Sequence, residues 1–110
     1  MKRLLLLLPI LLAGCISSNE SGVKVIVGAK LIAAPGREPI PYSVVVIDGG
    51  KIVAAGPQQS TPVPKGAAMT RGINMTIEPS GSTPIEPGQP ANLILHGPSD
   101  RLMKNGEWVQ

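Results

Sequence analysis

The 110-residue sequence has one cysteine, one histidine, no phenylalanine, and only Tyr42 and Trp108 as aromatics. Each scarcity excludes something. A lone cysteine leaves no disulfide within the chain. One imidazole, His96, is too few for a hydrolytic zinc centre, which takes about three His, Asp, Glu or Cys ligands and an open position for water. Two aromatics and no basic cluster offer neither a stacking platform nor a phosphate-tracking stripe, so nucleic-acid binding is not expected. No apolar run reaches the ~20 residues that a membrane-crossing helix needs. The length allows one domain.

What is present begins with a targeting pattern. Met1-Lys2-Arg3 is a basic start, Leu4 to Leu12 is apolar and contains Pro9, and Leu12-Ala13-Gly14-Cys15 follows at once. Such a segment can engage an export channel but is too short to span a bilayer. Leu12 to Cys15 resembles the lipobox of bacterial lipoproteins. The resemblance implies cleavage between Gly14 and Cys15, acylation of Cys15, and attachment to a membrane through that residue. It also implies sorting to the periplasmic or surface face of the outer membrane, because Ile16 stands where aspartate signals inner-membrane retention. Buried acyl chains contribute ~0.8 kcal/mol per methylene, and two or more together anchor stably. Loss of Lys2 and Arg3 takes the basic count from ten to eight against seven acids, so the positive charge belongs mainly to the export peptide.

The expected organisation is therefore an export helix at 1–14, a polar tether at 15–22, and a mostly β domain at 23–110. Within that domain the segments are short, rich in Val and Ile, and separated by Gly and Pro, which reads as strands. The candidates are Val23 to Val27, Ala29 to Ala33, Tyr42 to Asp48, Lys51 to Ala55, Asn92 to His96, and a closing pair between Arg101 and Val109. Asp48-Gly49-Gly50-Lys51 and Asn105-Gly106 supply the positive-φ residues of tight hairpins. Between Gly56 and Pro90 lie prolines 57, 62, 64, 79, 84, 87 and 90. The expectation there is mostly loop, with one strand at Ile73 to Ile77 that is short or at an edge. The fold class expected is a small β-sandwich or partly open barrel.

The order of these segments resembles the small β domain of the amidohydrolase superfamily, metal-dependent hydrolases in which both chain ends form a sandwich beside a (β/α) barrel. Lys24 to Ile32 resembles the opening strands, Ser43 to Gly56 the next hairpin, and Val63-Pro64-Lys65-Gly66-Ala67 the stretch leading into the barrel. Ile85-Glu86-Pro87-Gly88-Gln89-Pro90-Ala91-Asn92-Leu93 is similar to the family pattern Ile-Glu-x-Gly-x-x-Ala-Asp-Leu, with Asn92 in place of the usual aspartate. Arg101 to Val109 resembles the final hairpin. Between Ala67 and Ile85 such an enzyme would carry a barrel of ~250 residues, with its histidines and catalytic aspartate; here there are seventeen residues.

The chemistry-bearing residues weigh accordingly. His96, before Gly97-Pro98, reads as a strand-end histidine with one exposed nitrogen. Ser17 and Ser18 lie in the tether without an acid–base partner. Asn74-Met75-Thr76 matches a glycosylation sequon by chance, given the bacterial lipobox. Gly36 and Gly49-Gly50 precede no helix and form no phosphate cradle. Asp48 and Asp100 sit beside turns, where carboxylates bond the backbone. Trp108 reads as core or rim packing. No catalytic, metal or cofactor-binding residue is assigned, and Cys15 is the single modification site. Two functions fit: an anchored, non-catalytic module that contacts a protein partner or a second copy through the face that would pack on a barrel, or a truncated or split amidohydrolase that cleaves carbon–nitrogen bonds only with a separate barrel chain.

Overall fold

The computed structural model describes residues 22–109. The export segment 1–14, Cys15 and nearly all of the tether lie outside the described residues.

Among the described residues, nine strands form two sheets that face each other. The first sheet runs β4-β3-β1-β5, from β1 (Lys24–Val27), β3 (Ser43–Asp48), β4 (Lys51–Pro57) and β5 (Ala68–Arg71). The second runs β2-β6-β7-β8-β9, from β2 (Lys30–Leu31), β6 (Thr76–Pro79), β7 (Leu93–His96), β8 (Arg101–Lys104) and β9 (Glu107–Trp108). The mostly β, two-sheet expectation is borne out. Antiparallel pairs dominate, but β1–β5 and β2–β6 are parallel. Ile26, Leu31, Val45, Ile47, Ile52, Ile77, Leu93, Leu95 and Met103 fill the space between the sheets.

The continuous Val44-Val45-Val46-Ile47 run of β3 is buried on both faces, which is how a strand covered on both sides reads in sequence. Val45 and Ile47 join the interior, whereas Val44 and Val46 form a second cluster with Val25 on the outer face of the first sheet. The chain itself supplies a cover. β4 and β5 are opposite edges of this sheet, so the connection 58–67 must cross one face, and the second sheet occupies the inner one. Thr61 is buried on that path, 2.9 Å from where a Cβ on Gly56 would sit, and Ala67 packs against the valines.

Both ends of the sandwich are tied. At one end three segments pass between sheets: Gly28-Ala29, Pro41-Tyr42 and Gly72 to Met75. Gly28 N–H donates to Ser43 O (2.8 Å), Gly72 N–H to Val27 O (2.7 Å) and Lys30 N–H to Met75 O (2.9 Å). A Cβ on Gly72 would lie 2.8 Å from the Ala29 Cβ, so glycine permits the crossing chains to touch. The buried Ser43 hydroxyl donates to Ala29 O at 2.8 Å, satisfying the buried polar side chain there. At the opposite end the two expected hairpin turns form, with positive φ at Gly49, Gly50, Asn105 and Gly106. They abut: a Cβ on Gly106 would lie 2.7 Å from the Gly50 Cα. Ala91 stitches them, donating to Gly50 O (2.9 Å) and accepting from Gly106 N–H (3.0 Å).

The proline-rich stretch needs correction. It is mostly loop, as expected, but it holds more strand than the one segment expected at Ile73 to Ile77. Gly56 and Pro57 extend β4, Ala68–Arg71 forms β5, and the expected strand lies at Thr76–Pro79. The strand β6 is internal to its sheet, between β2 and β7. It tolerates Pro79 because that residue is its last. Gly72 to Met75 turns between sheets, which shifts the strand start past Ile73. The two strands within Lys24 to Ile32 belong to different sheets, with Gly28 (φ 98°) at the corner between β1 and β2.

Candidate functional site

Cys15, the expected acylation site, and Ser17 and Ser18 lie outside the described residues. His96 ends β7 and is half-exposed. Folding brings it two carboxylates: Asp100 Oδ2 stands 3.2 Å from Nδ1, and Glu78 Oε1 stands 3.9 Å from Nε2. The two nitrogens diverge from the ring, so these acids flank the imidazole on opposite sides and do not converge on a common point. A cation held by one nitrogen would face one of them only. Among the described residues no group of three His, Cys, Asp or Glu side chains is arranged to hold a metal ion.

Trp108 packs against the core, and the Arg101 guanidinium stacks over its ring at 4.1 Å. Asp48 closes the first hairpin opposite Lys51. Asn92 uses its side-chain oxygen to accept the Asn105 N–H at 2.8 Å. A neutral amide thus fixes the closing hairpin, and no ion pair is needed for it.

The end where the sheets are crossed holds a feature that the sequence reading passed over. A recess of about 280 Å³ is lined by Gly28, Lys30, Pro41, Tyr42, Asn74, Met75 and Thr76. A second, of about 560 Å³, shares Pro41 and Tyr42 and adds Pro57, Gln58 and Gln59. Tyr42 lines both, is 64% exposed, and has a left-handed backbone at φ 49°. Asn74 is left-handed too, at φ 64°. For a bulky side chain this conformation is strained. The local reason is visible. Ile40 is bonded both ways to Leu31 in the second sheet, and Ser43 N–H donates to Ala29 O in the corner. Pro41 and Tyr42 must turn sharply between those fixed points. Tyr42 reads in sequence as the first residue of a Val-rich strand, which hides the turn. The only available signal is the preceding proline.

No family model and no curated protein sequence matches the chain. Solved structures similar to it include phenylurea hydrolase B, 33% identical over 52% of this chain with a TM-score of 0.48. Molinate hydrolase is 28% identical over 55% of this chain, also at 0.48. A prolidase complexed with N-methylphosphonate-L-proline is 23% identical over 52%, at 0.44. These neighbours are amidohydrolase-family hydrolases. The chain spans 12%, 13% and 14% of their respective lengths.

Proposed function

We propose that this chain is a membrane-anchored bacterial lipoprotein whose β domain, related to the sandwich domain of amidohydrolases, acts by contact and not by hydrolysis. The observation that carries the reading is the fate of residues 68–84, which stand where such an enzyme would carry its barrel. They build β5 and β6, paired in parallel with β1 and β2. Ile77, fully buried, is part of the central core. The domain thus completes its two sheets with the residues that replace the barrel. The same replacement removes the histidines and aspartate of the hydrolytic centre, and His96 with its flanking acids has no converging geometry to stand in for them.

Anchoring rests on Leu12-Ala13-Gly14-Cys15, with Ile16 favouring the periplasmic or surface face of the outer membrane. The partner in this reading is a second copy or another envelope protein. Mass spectrometry of membrane-extracted protein tests the anchor: acyl mass on Cys15, lost in Cys15→Ser, supports it, and an unmodified Cys15 refutes it. Zinc analysis and amide hydrolysis by the full-length protein test the non-catalytic part. Stoichiometric tightly bound zinc, or turnover by the chain alone, would overturn it; turnover only on adding a barrel-encoding neighbour would establish a split enzyme instead. Crosslinking in membranes reads the contacts, and a solely monomeric, partner-free chain would refute the contact role.

A further inference from the structure

We propose that the two recesses beside Tyr42 form a binding site for a short neutral oligosaccharide, with the Tyr42 ring as the platform for one sugar. The first support is conformational. Three non-glycine residues among those described have positive φ: Tyr42, Asn74 and Asn105. Asn105 occupies a hairpin turn that demands it. Asn74 is the third residue of the turn that Met75 N–H closes on Gly72 O (2.9 Å), a place where positive φ suits asparagine. Tyr42, which lines the same recess, is the strained one. Glycine would make the Tyr42 bend without strain, and a tyrosine does not compensate by packing, because its side chain is largely in solvent. A strained, exposed aromatic on a rigid frame is displayed, not buried. Strain of this kind concentrates where a ligand is held.

The second support is the chemistry of the walls. A sugar ring offers a face of C–H bonds and a rim of hydroxyls that both donate and accept. The Tyr42 ring, with Pro41 and Pro57 beside it, suits the face. The Asn74, Gln58 and Gln59 amides and the Thr76 hydroxyl each donate and accept, which suits the rim. Among the described residues lining the recesses there is one cation, Lys30, and no carboxylate, so neither a polyanion nor a cation is the matched ligand. The second recess, about 560 Å³, falls within the ~300–1,000 Å³ of small-ligand sites, and the first, about 280 Å³, lies just under it. The backbone of the first recess is tied by the bonds Gly28 to Ser43 and Lys30 to Met75.

This inference extends the contact reading and does not depend on the lipid anchor. Acyl mass without sugar binding, or the converse, separates the two. Because Tyr42 is the sole tyrosine, isotope labelling of tyrosine gives ring signals of unambiguous origin. The full-length chain, in a zwitterionic detergent, is titrated with chitotetraose and with maltotetraose. The expected result is a saturable millimolar-range shift of the Tyr42 ring signals with at least one of them. Tyr42→Gly should weaken binding about tenfold, the size of one lost aromatic contact, while its melting midpoint stays at or above that of the native chain. Replacing both Gln58 and Gln59, exposed on a 3-10 turn, with alanine should weaken binding with the midpoint unchanged. Silence of the Tyr42 ring with both sugars would overturn the proposal, as would full binding by the glycine variant. A lowered midpoint in that variant would make the ring a structural element and remove the strain argument. Saturable shifts from a short proline-rich peptide, with both sugars silent, would replace it with a peptide site.

Discussion

Substituting Gly106 with alanine tests the idea that the two hairpin turns lock against each other. Gly106 has φ 83°, and its built Cβ would fall 2.7 Å from the Gly50 Cα, a backbone atom that cannot rotate away. An L side chain in the left-handed region costs ~1–2 kcal/mol. Relieving the clash must separate the turns, with an overpacking cost of ~1–3 kcal/mol. It also strains the Gly106 to Ala91 and Ala91 to Gly50 hydrogen bonds, whose net worth is ~0.5–1.5 kcal/mol each. We expect about 3–5 kcal/mol of destabilisation, a large share of the ~5–15 kcal/mol typical of small domains. Gly49→Ala is the internal control. Gly49 also has positive φ, at 64°, but nothing lies within 4 Å of its Cβ position. That variant should lose only the conformational term, ~1–2 kcal/mol. Urea unfolding followed by fluorescence of the single tryptophan, Trp108, reads both. Equal losses for the two variants would refute the locking of the turns.

Three smaller perturbations probe other joints of the fold. Ser43→Ala removes the buried hydroxyl bond to Ala29 O but leaves the Ser43 N–H on the same carbonyl; a loss of ~1 kcal/mol is expected in urea unfolding. Asn92→Ala strips the acceptor from the Asn105 N–H and should cost ~1 kcal/mol, whereas Asn92→Asp, which keeps an acceptor oxygen, should retain most of that stability in the same assay. Ile77→Ala empties a fully buried position in β6. Its cost should be ~2–5 kcal/mol, and a change near zero would show that residues 68–84 are not part of the cooperative core.

Local chemistry made several features of this protein readable without a structure. Asp48-Gly49-Gly50 and Asn105-Gly106 form tight turns because few other residues reach positive φ without strain. The Val44 to Ile47 run is a strand because its β-branched side chains suit a sheet buried on both faces.

Tertiary structure alone decided the rest. Ala68–Arg71 lacks a β-branched run and is exposed along most of its length, so its strand character comes from the parallel ladder to β1, forty-four positions earlier. Gly28 and Gly72 look like ordinary breakers in sequence, yet they let two chains cross at a corner. Asp100 lies four residues from His96, but Glu78 reaches it only across paired strands. The left-handed Tyr42 follows from anchors on either side of it in two different sheets. A turn preference is a property of two or three adjacent residues, whereas a pairing or a shared recess is a property of distances between residues remote in the chain. The first is written in composition and spacing; the second exists only once the sheets close.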